Sequence, residues 1–209
     1  MSIPGHSPDN APPSSRSAAE GLPNRPDVGA LPIGFLSLAW LALVGIGILG
    51  RLWQPVYGVS PMIGLGLCAG ALFPNRFIAA SVPAVALAAS NLALPGGGSY
   101  GSWTMAAIIY AAFIWPVLMG GMVLRRRFWG AIGGALVGSL VFYLATNAAH
   151  WWLTADYPHT ATGLIECYVA GLPFYRWTPV GDLAWSLGLT SGLAFIPVLA
   201  RRFRGVEAA

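Results

Sequence analysis

The constraint that most narrows the fold of this chain is a series of apolar segments, each about as long as a bilayer is thick and separated by short polar joints. They run over Ile33–Gly50, Val56–Phe73, Phe77–Leu94, Trp103–Leu124, Trp129–Leu153 and Asp182–Ala200. A membrane helix needs roughly 20 apolar residues to cross a ~30 Å hydrocarbon core. Six such segments predict an all-α integral membrane protein with about six transmembrane helices in one bundle. The composition agrees: 56% of residues are hydrophobic and 9% charged, and the mean hydropathy is +0.65. Span two is the exception in length, because Pro61 interrupts it and leaves about fourteen uninterrupted residues, or ~21 Å of helix. A broken or half-length helix is expected there.

Before the first span lies a tail, residues 1–30, rich in Pro, Ser, Ala and Asn. It has too little apolar surface to offset its chain entropy and is expected to be disordered. The first apolar run begins some thirty residues in, with no convincing small-residue cleavage site after it, which disfavours a cleavable signal peptide. Residues 31–205 are therefore assigned to the membrane domain.

All eleven basic residues are arginines. With six crossings and the tail in the cytoplasm, Arg16, Arg25, Arg76, Arg125, Arg126, Arg127, Arg201, Arg202 and Arg204 fall inside, and Arg51 and Arg176 outside. That asymmetry follows the positive-inside bias. It predicts a multi-pass protein of the cytoplasmic membrane with both termini inside, and it makes arginine a reporter of topology rather than of nucleic-acid binding. Without lysine there is no Walker A phosphate lysine and no Schiff-base lysine. Only Cys68 and Cys167 occur, which gives no disulfide framework and no metal-finger spacing.

Between the last two spans, Tyr157 to Asp182 forms a polar island holding His159, Glu166, Cys167, Arg176, Asp182 and several aromatics. Its apolar middle, Gly163 to Phe174, is about a dozen residues, too short to cross and suited to a re-entrant or interfacial segment. The same topology collects Arg51, Ser60, Asn91, Tyr100, Asn147, His150 and Asp182 on the outer face. Tyr143, Asn147, His150 and Trp151 share one helical face. Such a stripe lines a cavity or bonds a neighbouring helix.

Each outer residue carries two readings. Arg51 suits a ligand carboxylate or phosphate, or an internal ion pair with Asp182. Asp182 suits a pocket or an N-cap of span six. Glu166 suits a ligand amine or bare solvation. Tyr100, Tyr157, Tyr168, Phe174 and Trp177 suit stacking on a flat ligand or an interfacial belt, which Trp151, Trp152 and Tyr175 would serve in any case. Small-residue stripes at Gly130–Gly134–Gly138, Ala80–Ala84–Ala88 and Gly66–Gly70 suit packing within the bundle or against a partner.

Two chemistries are weighed against capture. His150, His159, Glu166, Cys167 and Asp182 have the donor types of a transition-metal site but match no ligand signature. Neither metal nor cofactor is assigned. Gly97-Gly98-Ser99-Tyr100-Gly101 matches G-x-S-x-G, but a nucleophile elbow needs a strand, turn and helix that an all-helical chain does not offer. A membrane-embedded serine hydrolase using Ser99 is the remote enzyme alternative, and a non-catalytic scaffold or assembly protein is the nearer one. No catalytic residue is assigned.

The pattern R-L-x-x-P at Arg51 to Pro55, Ser60-Pro61 before a small-residue helix ending Ala69-Gly70-Ala71-Leu72-Phe73-Pro74, Thr146-Asn147, Tyr157-Pro158-x-Thr160, Gly163-Leu164, Cys167-Tyr168, Leu172-Pro173-Phe174 and Gly181-Asp182 resembles a family of bacterial membrane proteins. Its members are described as substrate-binding (S) components of energy-coupling-factor transporters. The resemblance spans Arg51 to Leu199 and implies a six-helix bundle with an outward pocket under loops. It also implies a transmembrane coupling protein, separate ATPase subunits and a small vitamin-like ligand or ion. Read with the outer-face topology, the candidate binding residues are Arg51, Ser60, Asn91, Tyr100, Asn147, Trp151, Tyr157, Thr160, Glu166, Tyr168 and Asp182, with Tyr157 to Asp182 expected to form a lid. Two positions depart from the pattern: Gly58 stands where Asn is expected before Ser-Pro, and Asn91 where Asp is expected after Ser90.

Overall fold

A computed structural model describes residues 31–54, 58–94, 100–196 and 199. The 1–30 tail, Ser99 with the two glycines before it, and the C-terminal arginines lie outside the described residues.

The described residues form helices joined by short turns, with no strand among them, as the apolar segments require. The elements are α1 (Ile33–Leu52), α2 (Met62–Leu72), α3 (Arg76–Ala93), α4 (Trp103–Ile114), α5 (Gly120–Arg126), α6 (Phe128–Leu153), α7 (Ala161–Tyr175) and α8 (Thr178–Gly192). A 3-10 turn, Trp115–Met119, joins α4 to α5, and a second, Leu193–Phe195, follows α8. Pro116 accounts for the first of these, since it lacks the N–H that a continuous α-helix would use. Counting α4, the turn and α5 as one run, Trp103–Arg126, four helices among the described residues are long and apolar enough to cross a membrane; the others are α1, α3 and α6.

Side chains start several helices where the sequence offers them. Asn75 caps α3 by accepting from the Phe77 and Ile78 amides at 2.8 and 3.3 Å. Ser102 caps α4 through the Met105 amide at 3.1 Å, and Thr160 caps α7 through the Gly163 amide at 3.2 Å. In each case the side-chain oxygen satisfies a backbone donor that has no partner within the helix.

The core is α2. All eleven of its residues are buried, and it packs against α3, α5, α8 and the 3-10 turn. Eleven residues make about 16 Å of helix, about half the thickness of a hydrocarbon core. The expected span over Val56–Phe73 is thus corrected to a short central helix beginning after Pro61. Small residues permit its enclosure. A Cβ on Gly70 would collide with the Val117 carbonyl, and one on Gly120 with the Gly70 backbone, so α2 and the start of α5 touch main chain to main chain. Arg76 closes the far end of this contact by donating from Nη1 to the Gly70 and Val117 carbonyls at 2.9 and 3.1 Å. Carbonyls at a helix C-terminus lack intrahelical donors, and a cation there also opposes the negative end of the helix dipole.

The glycines of α6 serve the same enclosure. Gly134 faces Leu67 and Gly138 faces Ile63, both on α2. Packing within the bundle therefore accounts for the Gly130–Gly134–Gly138 and Gly66–Gly70 stripes. Ala80 and Ala84 are half-buried and Ala88 is exposed, so the third stripe lies off the buried face of α3.

Two further boundaries differ from expectation. The last long helix begins at Thr178, four residues before Asp182, because Pro179 sits in its first turn, where a missing N–H costs nothing. Gly163–Phe174 is the body of a fifteen-residue helix, α7, that packs mainly on α6.

Replacing Gly70 with valine is expected to cost about 1–3 kcal/mol through overpacking against Val117. Gly121→Ala, where an added Cβ meets nothing within 4 Å, should stay within about 0.5 kcal/mol. Thermal unfolding of the detergent-solubilised protein checks both.

Candidate functional site

At the end of the bundle where α1 and α3 finish and α2, α4 and α8 begin, the helices leave a cavity of ≈ 530 Å³. This size is typical of small-molecule pockets. The cavity sits at the N-terminal end of α2, whose leading residues Gly58 and Ser60 line it. The remaining walls are Arg51 and Gln54 after α1, Tyr100, Met105, Ile109 and Phe113 from the α4 side, and Phe142, Tyr143, Thr146, Asn147 and His150 of α6. Gly171, Phe174 and Tyr175 of α7 and Thr178 and Asp182 of α8 complete it.

Arg51 occupies the last turn of α1 and reaches to α3. Its Nη1 donates to Asn91 Oδ1, to Ser90 Oγ at 3.0 Å and to the Leu87 carbonyl at 3.4 Å. Asn91 in turn donates from Nδ2 to Tyr100 Oη at 2.7 Å. Every one of these partners is neutral. The only carboxylate contact of a basic group among the described residues is His150 Nε2 to Asp156 Oδ2, 3.0 Å.

Asp182 belongs to a separate cluster. Buried at 1% exposure, it accepts from Ser139 Oγ at 2.6 Å through Oδ2. No ion pair joins it to Arg51, which corrects the expected internal pair. Nor does it cap span six: α8 starts after Trp177, and Asp182 lies in the second turn with its side chain directed to α6.

Aromatic side chains make the walls. Phe113 and Phe142 stack with centroids 4.4 Å apart and planes at 26°, bringing α4 against α6. Tyr143 and Tyr175 lie 4.5 Å apart at 30°. The Tyr143 hydroxyl donates to the Tyr168 carbonyl, which fixes its ring between α6 and α7. Tyr175, expected in an interfacial belt, instead lines the cavity.

Of the residues expected to bind, the structure brings Arg51, Ser60, Tyr100, Asn147 and Asp182 to one cavity, with Asn91 directly behind Arg51 and Tyr100. Five others stand outside its lining. Trp151 Nε1 donates to the Pro158 carbonyl at 2.8 Å, Tyr157 meets the His150 ring edge-on, and Thr160 caps α7. Glu166 is exposed, and the Tyr168 hydroxyl donates to the Leu144 carbonyl at 2.9 Å. The 157–168 part of the expected lid is thus used to fasten α7 to α6, and the lining comes from the later part, Gly171 to Tyr175.

The residues weighed for a metal are dispersed. Cys167 Sγ donates to the Asn147 carbonyl at 3.4 Å, His159 stacks on Trp152, and no group of three metal-ligating side chains forms among the described residues.

Several lining residues have no role in the sequence reading. Phe142, and Thr146, which enters that reading only as part of the Thr146-Asn147 motif, lie beside the Tyr143–Asn147–His150 stripe and continue its face, so helical periodicity could have found them. Met105, Ile109 and Phe113 also repeat at helical spacing on α4, but an apolar row facing a cavity looks like one facing lipid.

Fold and cavity together define an all-helical chain with membrane-length helices around a partly polar pocket. Residues 34–205 match the model of a family of unknown function, DUF6580, and the chain belongs to that family. No curated protein and no solved structure matches it.

Replacing Ser139 with alanine removes the one hydrogen bond that the described residues make to the buried Asp182 carboxyl group and is expected to cost about 1–3 kcal/mol. Thermal unfolding in detergent checks this against Ser102→Ala at the exposed α4 cap, where the expected loss is about 1 kcal/mol or less.

Proposed function

We propose that this protein is a substrate-capture component of a membrane importer, binding a small organic molecule in the cavity between α1, α4, α6, α7 and α8. The observation that carries the reading is Arg51. A guanidinium at the edge of an apolar bundle whose partners among the described residues are all neutral, facing a ligand-sized cavity, suits an anion supplied by a ligand.

On this reading the chain crosses the membrane six times, through α1, the short α2 together with the loop that leads into it, α3, the α4–α5 run, α6 and α8, while α7 lies over the outer end. Arg76, Arg125, Arg126 and Arg127 sit at the end of the bundle opposite Arg51, at the start of α3 and around the α5–α6 junction. The positive-inside bias then turns the cavity outward and both termini inward. The chain offers no lysine for an ATPase of the Walker type, so energy would come from separate ATPase subunits through a transmembrane coupling protein, as the resemblance to S components implies.

Native mass spectrometry of the detergent-purified protein tests the reading. A small molecule should be retained by the wild type and lost by at least about tenfold in Arg51→Ala, the worth of one charge-assisted contact. Finding neither a bound molecule nor a coupling subunit after growth under several conditions would favour the non-catalytic scaffold instead.

A further inference from the structure

The cavity carries two polar anchors, a guanidinium and a buried carboxyl group, and each has unused bonding capacity. On Arg51 all three hydrogen bonds leave from Nη1, so Nη2 and Nε, which carry three of the five guanidinium N–H groups, have no acceptor among the described residues. On Asp182 the one hydrogen bond ends on Oδ2, and Oδ1 has no donor among them. A buried carboxyl with one bare oxygen either holds a proton or, ionised, lacks a donor, and an incoming ammonium or N–H group supplies what the ionised form needs. The two anchors come from different helices and do not neutralise each other. The same cavity is lined by two pairs of aromatic rings, Phe113 on Phe142 and Tyr143 on Tyr175.

From this arrangement we infer that the cavity selects an aromatic zwitterion: a flat molecule with a carboxylate or phosphate group for Nη2 and Nε of Arg51, and an ammonium or N–H donor for Oδ1 of Asp182. The inference rests on the capture reading and deepens it. An acid alone would leave Asp182 unsatisfied, and an amine alone would leave Arg51 unsatisfied. A neutral ring would leave both. Because removing a buried partner costs more than an extra apolar contact gains, the doubly charged class wins on both counts.

Asn91 tunes the first anchor. Its amide holds Nη1 without supplying charge. Asn91→Asp would place a carboxylate against Arg51 at nearly unchanged volume, and the Tyr100 hydroxyl can turn to donate to it. The variant should fold and should no longer need an anion from the ligand.

The test uses the full chain in detergent and a panel of aromatic compounds sorted into zwitterions, acids, amines and neutral molecules. Tryptophan, indole-3-propionate, tryptamine and indole form its matched core. Thermal stabilisation of the wild type should be greatest for the zwitterions. In Asn91→Asp and Arg51→Gln the preference for a carboxylate should fall by at least about tenfold while amines still stabilise; in Asp182→Asn the preference for an ammonium should fall likewise while acids still stabilise. A merely structural role for these residues would lower the melting temperature without reordering the classes.

The panel is read beside whatever molecule co-purifies. A wild-type order led by acids, amines or neutral compounds, an order unchanged in all three variants, or a co-purified ligand lacking either group overturns the zwitterion while leaving capture standing. No stabilisation by any class, with nothing co-purified, overturns both.

Discussion

The enclosure of α2 is the constraint on which the rest of the structure depends. A helix of eleven residues, buried along its whole length, can be surrounded on every side only if its neighbours approach to main-chain distance. Gly70 and Gly120 make that possible on one side, and Gly134 and Gly138 on another. Pro61 stops α2 from extending at its N-terminal end. The segment before it, with Gly58 and Ser60, therefore runs as loop where a full-length helix would have filled the bundle, and the cavity occupies that place. Gly58, with a φ of +90° and Thr178 close by, belongs to the same accommodation. The pocket is a consequence of a helix too short for its bundle.

Around this space the polar groups are partitioned in a way that keeps their charges apart. Arg51 is tied to α3 through Ser90, Asn91 and the Leu87 carbonyl, and Asp182 to α6 through Ser139. Each tie joins the end of one helix to a neighbour, so each contributes to packing as well as to the site. A direct Arg51–Asp182 pair would have satisfied both groups at once and left the cavity without an anchor. The observed partition is the physical basis for reading the cavity as a binding site.

Much of this was legible in the sequence. Apolar segment lengths predicted the helices, and the weakness of Val56–Phe73 flagged the short α2. The alternation of helix direction put Arg51, Ser60, Asn91, Tyr100, Asn147 and Asp182 at one end, where the structure places them. What sequence could not settle was partner choice among groups at that end. Arg51 met Asn91 instead of Asp182 because α1 packs on α3, and α8 on α6; no local pattern encodes those neighbours. Tyr157, Thr160, Glu166 and Tyr168 fall outside the cavity lining for a related reason. Polar and aromatic residues that cap or fasten a helix have the same composition as those that hold a ligand. Tyr175 was misread in the opposite direction, since one face of α7 lies against the cavity while its other residues look outward.

The central claim is that the Arg51 cavity opens to the outside of the cell. With Cys68 and Cys167 replaced by alanine, cysteines introduced singly as Thr146→Cys in the cavity wall and Arg126→Cys at the opposite end of the bundle can be probed with a membrane-impermeant maleimide. On intact cells the account predicts labelling of the first and none of the second until the membrane is permeabilised. Labelling of Arg126→Cys from outside, with Thr146→Cys reached only after permeabilisation, would contradict it.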